Sequence, residues 1–281
     1  MTEFILKRAG GLAFFVFRRL EEYRFLTHGF STRLGGVSPF PGEALNLGYI
    51  AEDDARHVAL NRSRFLAALN IPQAELVTLH QVHSSQIHIL NNAGDKTKSF
   101  LADRRDPAPD PHRYGEGDGL VTNRPGCLLT IQTADCFPIL LIDQRQRAVG
   151  GLHAGWRGAC QRIAERGVET MQIAFQSKPE DLIAAIGPGI GPCCYEVGDE
   201  VVEAYNREFQ YGETCFHRPD GAKRRRLDLR AVNRRQLLDA GLSPDQILEA
   251  GRCTACEPEY FFSHRAEKGV TGRMMAAIAL R

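Results

Sequence analysis

A single α/β (α+β) domain, with layered β-sheets covered by helices, is the fold class this sequence predicts, and three observations carry it. Alternating, β-branched and aromatic segments crowd the first half of the chain. Helical periodicities are mixed with further strands, but without the regular strand–helix alternation of a doubly wound sheet. Finally, 43% hydrophobic residues over 281 positions can fill a large core, and neither an internal repeat nor a linker divides them.

Taken in order, strands are expected at Leu12–Phe17, Phe25–Thr32, Leu76–Leu79, Gln86–Leu90, Gly119–Thr122, Leu128–Gln132, Ile139–Asp143 and Val149–His153. Between the second and third, Asp53 to Leu69 places Val58, Phe65, Leu66 and Leu69 at helical intervals, and Asn70 with Pro72 ends the helix. The polar, proline-bearing stretch Asn91 to Glu116 has no pattern and reads as a surface insertion. A helix over Ala159–Phe175 follows Gly155-Trp156-Arg157-Gly158, so a glycine turn leads from a buried strand into a helix N-terminus whose free amides can hold an anion. A short strand Leu182–Ile186, helices Gly198–Asn206 and Leu229–Ala240, and a final strand Arg273–Leu280 complete the chain.

Composition narrows the function. Thirty-five basic and 34 acidic residues leave a net charge of +1, which gives no reason to expect a nucleic-acid partner. The run Lys223-Arg224-Arg225-Arg226 reads as a solvated loop. No segment has the length of a membrane span, and the apolar run Leu12–Phe17 is too short for a signal-peptide core, so a cytoplasmic location is expected. Eight unevenly placed cysteines do not make a secreted disulfide framework, and reduced thiols are expected.

Cys136 and His153 each sit at the edge of an apolar run, separated by about one hairpin. Thiolate and imidazole serve both zinc and covalent catalysis, so their convergence points to chemistry. Three histidines cluster in Leu79–His88; on a strand His80 and His83 face opposite ways, so both can be ligands only if the backbone turns at Val82. One of them completes a Cys-His-His set, the number of protein ligands with which catalytic zinc keeps a fourth position for water or substrate. No compact zinc motif is present.

Cys253-Thr-Ala-Cys256 has C-x-x-C spacing but no second such pair, and reads as structural or spectator. Cys193-Cys194 follows a proline, yet the remaining elements of the cytidine-type deaminases are missing. Gly187-Pro188-Gly189-Ile190-Gly191 departs from the dinucleotide fingerprint and reads as a pocket wall. Arg33, Arg157 and Arg265, each beside glycine or small residues, are the candidate anion forks.

In order along the chain stand Thr32-Arg33-Leu34-Gly35-Gly36-Val37-Ser38, Leu45-Asn46-Leu47-Gly48, Gln81-Val82-His83, Thr133-Ala134-Asp135-Cys136, His153-Ala154-Gly155-Trp156-Arg157-Gly158, Ile186-Gly187-Pro188 through Tyr195-Glu196-Val197, Phe261-Phe262-Ser263 and Thr271-Gly272-Arg273-Met274. Together, from about residue 27 to the end, they resemble the YfiH family, also called the laccase-domain or multicopper polyphenol oxidase family. The resemblance implies an α-β-β-α sandwich and a zinc site held by His83, Cys136 and His153, with His80 outside it. It also implies purine nucleoside phosphorylase and adenosine deaminase activities on adenosine, inosine or methylthioadenosine, with nucleoside and phosphate as small-molecule partners. A peptidoglycan-editing member of the family makes muropeptides an alternative substrate class. His264 stands where the family pattern suggests an aromatic residue.

Within that reading Asp135 is expected to move protons beside Cys136, while Arg33, Asn46, Arg157 and Arg265 are expected to bind substrate or phosphate, Arg33 also acting in catalysis. A multicopper mechanism is not expected, because nine histidines without one H-x-H pair cannot build a trinuclear cluster; copper at the Cys-His-His site would be adventitious. A cysteine hydrolase using Cys136 as nucleophile and His153 as base is the rival, as is a non-catalytic editing protein with a structural zinc. No heptad or apolar patch declares an oligomeric state.

Overall fold

The computed structural model describes residues 3–39, 43–91, 110–219 and 223–281. The chain opens with strands β1 (Phe4–Ala9), β2 (Leu12–Phe17), β3 (Leu26–Ser31) and β4 (Leu34–Ser38). Helix α1 (Ala55–Ala68) follows, its N-terminus capped by Asp54, which accepts the Arg56 amide. Seven strands come next: β5 (Glu75–His80), β6 (Ile87–Leu90), β7 (Arg113–Glu116), β8 (Gly119–Thr122), β9 (Cys127–Thr133), β10 (Phe137–Asp143) and β11 (Ala148–Ala154). The remainder alternates: α2 (Trp156–Cys160), α3 (Ile163–Phe175), β12 (Leu182–Ile186), β13 (Glu196–Val197), α4 (Asp199–Glu208), β14 (Phe216–His217), β15 (Arg225–Leu227), α5 (Leu229–Asp239), β16 (Ile247–Glu249) and β17 (Met274–Leu280).

Two sheets stack. One has seven strands in the order β1-β2-β3-β17-β9-β5-β7 and the other six in the order β16-β12-β10-β11-β8-β6, while β13-β15-β14 form a small third sheet. Period-two side-chain direction explains the layering. In β10, Leu140 and Ile142 enter the core between the sheets, whereas Ile139 and Leu141 join the helix-covered core with α3 and α5. In β17, Ala276 and Ile278 face the same central core and Met275, Ala277 and Ala279 face the core under α1. Strands buried on both faces read as continuous apolar runs. The result is the expected sandwich of sheets between helical layers in one mixed α/β domain. A one-residue slip in β10 or β17 would exchange the two faces, so the register is strongly specified.

Three expectations need correction. The helix predicted over Ala159–Phe175 begins at Trp156 and is broken, with Arg162 in the left-handed region at φ 63° between α2 and α3. The break lets α3 lie directly on β11: a Cβ on Gly167 would stand 2.5 Å from Leu152 Cδ1. The predicted insertion extends too far. Residues 92–109 lie outside the described residues, but β7 pairs in parallel with β5 at the end of that stretch. Just before it, Asp110 is buried and takes a two-pronged ion pair from Arg62 of α1 at 2.8 and 2.7 Å, with the Thr78 hydroxyl donating at 2.9 Å. A paired, hydrogen-bonded charge tolerates burial, so polar composition alone cannot mark such a residue as surface. Likewise only the first half of the basic run, Lys223 and Arg224, is an exposed loop. Arg225 and Arg226 lie in β15, the middle strand of the small sheet, and pair with Glu213 and Glu196.

No helix among the described residues is long and apolar enough to cross a membrane.

Strand β3 carries a pH-sensitive group. His28 is buried, and its Nε2 accepts the Phe17 amide at 2.9 Å, which requires a neutral ring. Burial, with a smaller contribution from Lys7, pushes its pKa down to about 3 from 6.5. The unfolded chain therefore binds this proton more readily than the folded one. The contribution to stability is intact above about pH 6.5 and is lost as the pH falls toward 3, with a slope of up to about 1.4 kcal/mol per pH unit. Urea unfolding of wild type and His28→Gln across this range checks it: the variant curve should be flatter by that slope, and parallel curves would refute it.

Candidate active site

The site forms where the chain leaves one sheet for the other. Strand β9 belongs to the seven-stranded sheet and β10 to the six-stranded one, and Ala134-Asp135-Cys136 is the crossover. Asp135 has φ 91°, outside the usual range for a side chain with a Cβ, so the surroundings must hold it there. They do: its carboxylate accepts the Thr254 hydroxyl and the Arg265 amide, each at 2.7 Å, and its carbonyl accepts the Ile190 amide. Cys136 then sits one residue before β10. Opposite it, His153 is carried by β11 and pairs in register with Pro138.

His83 arrives by a turn. Gln81 acts as a surrogate backbone past the end of β5, its amide donating to the Gln132 carbonyl at 2.7 Å and its oxygen accepting the Gln132 amide at 2.8 Å. His83 itself is in the left-handed region at φ 61°, which resolves the strand-parity problem. The amides of Val82, His83 and Ser84 all donate to the buried Asp118 carboxylate, at 3.2, 3.0 and 2.6 Å. One carboxylate thereby compensates the strain of the turn.

Ligand atoms of His83, Cys136 and His153 all lie within 4.8 Å of one another. The same Asp118 carboxylate contacts His153 Nδ1 at 2.8 Å, which leaves Nε2 to face the other two. A carboxylate behind an imidazole is the usual orientation device for a metal-binding histidine. Burial works against the charged forms of both Cys136 and His153. Even so, their mutual attraction and the contacts with His83 and Asp118 hold the Cys136 thiol below its ordinary range and the His153 ring above its own. Gly155 is required here: a Cβ would stand 2.9 Å from Cys136 Sγ and 3.0 Å from His83 Cδ2.

These three residues open into a cavity of about 550 Å3, of a size that suits a small organic ligand. Tyr49, Trp156 and Tyr195 give it aromatic surface, and Arg113, Arg157, Arg265 and Arg273 line it with positive charge. His80 and His264 line it as well, but neither joins the three-residue cluster.

Two expected substrate contacts are displaced. Arg33 does not line the cavity. Its guanidinium pairs with Glu267 at 2.9 Å, donates to the Pro258 and Phe261 carbonyls and lies over the Phe262 ring, so it is a buried brace for the 258–267 segment. Asn46 is fully buried and also outside the cavity; its side chain bonds Asp53 and Gly48 and accepts the Arg273 amide at 2.9 Å. It places Arg273, a cavity residue that sequence reading missed. Arg157 and Arg265 do reach the cavity, the first over Trp156 and the second over Tyr195.

Comparison with known proteins fits this geometry. The sequence pattern of the family described as multi-copper polyphenol oxidoreductase laccase matches residues 27–281. The chain belongs to this laccase-domain family. Among its members, the purine nucleoside phosphorylase YlmD of Geobacillus stearothermophilus is 39% identical over 90% of this chain and 89% of its own. A protein from an unknown prokaryotic organism, named adenosine deaminase RL5, is 36% identical over 89% of this chain and 93% of its own. The crystal structure of the Bacillus licheniformis family protein YfiH superposes with a TM-score of 0.85 at 35% identity, covering both chains completely. The several copper ions that the family's description implies would need a histidine-rich cluster, which has no counterpart among the described residues. All nine histidines lie among the described residues, and only His83 and His153 enter a group able to hold a metal.

Proposed function

We propose that this laccase-domain protein is a zinc-dependent purine nucleoside enzyme, a phosphorylase that also deaminates adenosine. The observation that carries the reading is a three-residue His-Cys-His set opening into a cavity that holds both aromatic faces and arginines. One thiolate and two imidazoles suit zinc, and three protein ligands leave a position for substrate or water. When bound, zinc supplies Lewis acidity at that position. The names carried by the family members agree with a nucleoside and phosphate as substrates.

The chain's own groups divide the remaining work. Tyr49, Trp156 and Tyr195 offer faces on which a purine can stack. For phosphorolysis, phosphate would attack the ribose carbon as the base departs, and Arg157 is best placed to hold it. Apart from its stacking on Trp156, its guanidinium has no ion-pair partner among the described residues. Arg265 donates to the Glu196 carbonyl and supports the same wall. Asp135 lines the cavity beside Cys136; its carboxylate fixes Arg265 and Thr254 and keeps free lone pairs with which to move protons.

The test is to incubate the purified protein with adenosine and phosphate and identify the products by mass. Adenine with ribose 1-phosphate, together with inosine, is expected. Arg157→Ala should raise the KM for phosphate by about 10- to 100-fold, the worth of one charged hydrogen-bonding group. No product, or an unchanged phosphate KM, would overturn the corresponding part of the reading.

One observation favours a second reading. Asp118, His153 and Cys136 are aligned as in a cysteine hydrolase, with the carboxylate behind the imidazole and the thiol in front. Such an enzyme, acting for instance on a muropeptide, would keep its activity in the presence of a chelator. The purine enzyme would lose it and regain it when zinc is restored.

A further inference from the structure

The cysteine pairs Cys193-Cys194 and Cys253-Thr-Ala-Cys256, far apart in sequence, meet in the fold. Their four sulfur atoms all lie within 4.8 Å of one another. Cys256 Sγ is 3.4 Å from Cys193 Sγ and 3.3 Å from Cys194 Sγ, too far for the disulfide length of about 2.05 Å. A tetrahedral zinc with Zn–S bonds of about 2.3 Å would hold its sulfurs about 3.8 Å apart, within the spread of this cluster.

The surrounding backbone is arranged for the same purpose. Two turns face each other, and each presents two thiols. In one, the Cys194 amide donates to the Gly191 carbonyl at 3.0 Å; in the other, the Cys256 amide donates to the Cys253 carbonyl at 3.2 Å. The turns are joined by a bridge between Gly189 and Cys253 and by the Thr254 amide donating to the Gly189 carbonyl at 3.1 Å. The Gly191 amide donates to Cys253 Sγ at 3.2 Å, a contact that favours a thiolate. None of the four cysteines lines the catalytic cavity.

We propose that Cys193, Cys194, Cys253 and Cys256 form a second zinc site, closed and structural, separate from the His83, Cys136 and His153 set. Four thiolates leave no open position, so the ion takes no part in turnover. Its place in the fold gives it a task. It ties the loop that carries Ile190 and Tyr195 to the segment that carries Thr254 and Arg265, and these two segments form one wall of the cavity. Thr254, between two of the ligands, holds Asp135 beside Cys136. The closed site stiffens the wall on which substrate rests.

The test counts metal by mass spectrometry in protein purified under reductant and without chelator. Cys136→Ala removes a ligand of the catalytic set, so the zinc that remains reports the second site. About one equivalent per chain is expected there. It should disappear in Cys136→Ala/Cys253→Ser, while Cys253→Ser alone should keep the catalytic equivalent. Cobalt loaded into Cys136→Ala should give intense thiolate-to-metal charge-transfer absorption. Cys136→Ala protein with no bound zinc, with iron in place of zinc, or with an intact mass short of the hydrogens lost to disulfides would overturn the proposal. That count does not depend on the Cys253 variant folding. Nor does it depend on the purine reading, because it requires no substrate.

Discussion

Cys136→Ala is expected to lower kcat/KM for adenosine by about a thousandfold or more, which corresponds to about 4 kcal/mol of transition-state stabilisation. Cys136 is the one anionic member of the His83, Cys136 and His153 set, and Asp118, the carboxylate that contacts the set through His153, is buried behind that ring and does not line the cavity. Its loss leaves two neutral or mutually repelling histidines, which hold a divalent ion far more weakly. The fold itself should survive, since Cys136 lies outside both strands that flank it and the central core does not include it. The measurement is therefore threefold: steady-state kinetics, zinc content and thermal unfolding. Turnover within tenfold of wild type, with one equivalent of zinc lost and the second-site equivalent kept, would refute the assignment of the metal to catalysis. Chelator and zinc restoration on wild type, run alongside, separate this outcome from loss of a cysteine nucleophile.

The second large effect belongs to Asp118, which no motif singled out. Its carboxylate accepts three consecutive amides and the Ser84 hydroxyl and also orients His153. Hydrogen bonding to these groups holds its pKa below the ordinary value despite the opposing effect of burial. Asp118→Asn presents an NH2 group to donors and loses the charge that compensates the left-handed turn at His83. Metal affinity should fall by about 10- to 100-fold, as for other residues that orient a ligand from behind. Stability should fall by about 1.5–3 kcal/mol, the usual worth of hydrogen bonds to a charged group. Competition with a fluorescent chelator reads the first and urea unfolding the second. Unchanged metal affinity with lowered stability would make Asp118 a purely structural residue and refute its role in placing His83 and His153.

Much of the fold was legible because its signals are local. Leu12–Phe17, Gly119–Thr122 and Leu182–Ile186 coincide with the expected strands, since a strand buried on both faces is a continuous apolar run with breakers at its ends. Strands of mixed or very short sequence were not legible, although the edge strand β6 was, within the expected span Gln86–Leu90. Phe4–Ala9 mixes Lys7 and Arg8 with apolar residues, and β13, β14 and β15 are too short to show a period. The break at Arg162 was hidden too, because a left-handed residue between two helices leaves no glycine or proline to mark it.

The site divides in the same way. Cys136 and His153 were visible as chemical residues at strand ends, and the family pattern selected His83 over His80. Arginine, by contrast, looks alike wherever it stands. Arg33 and Arg157 share similar glycine-rich surroundings, yet one braces Glu267 inside the protein and the other lines the cavity. Asp118 lay hidden between two glycines as an ordinary turn residue, and the four thiols were two unrelated pairs until the chain closed.

By itself, then, the sequence determined the period-two and helical burial patterns, hence the layers of the sandwich, and the residue types able to hold a metal. Tertiary structure decided which of those residues meet. The physical reason is that hydrophobic periodicity is written within one element, while a ligand set or an ion pair depends on distances between elements remote in sequence. Here those distances are set by the crossover from β9 to β10, by the pairing of β17 between β3 and β9, and by the turn that Asp118 holds.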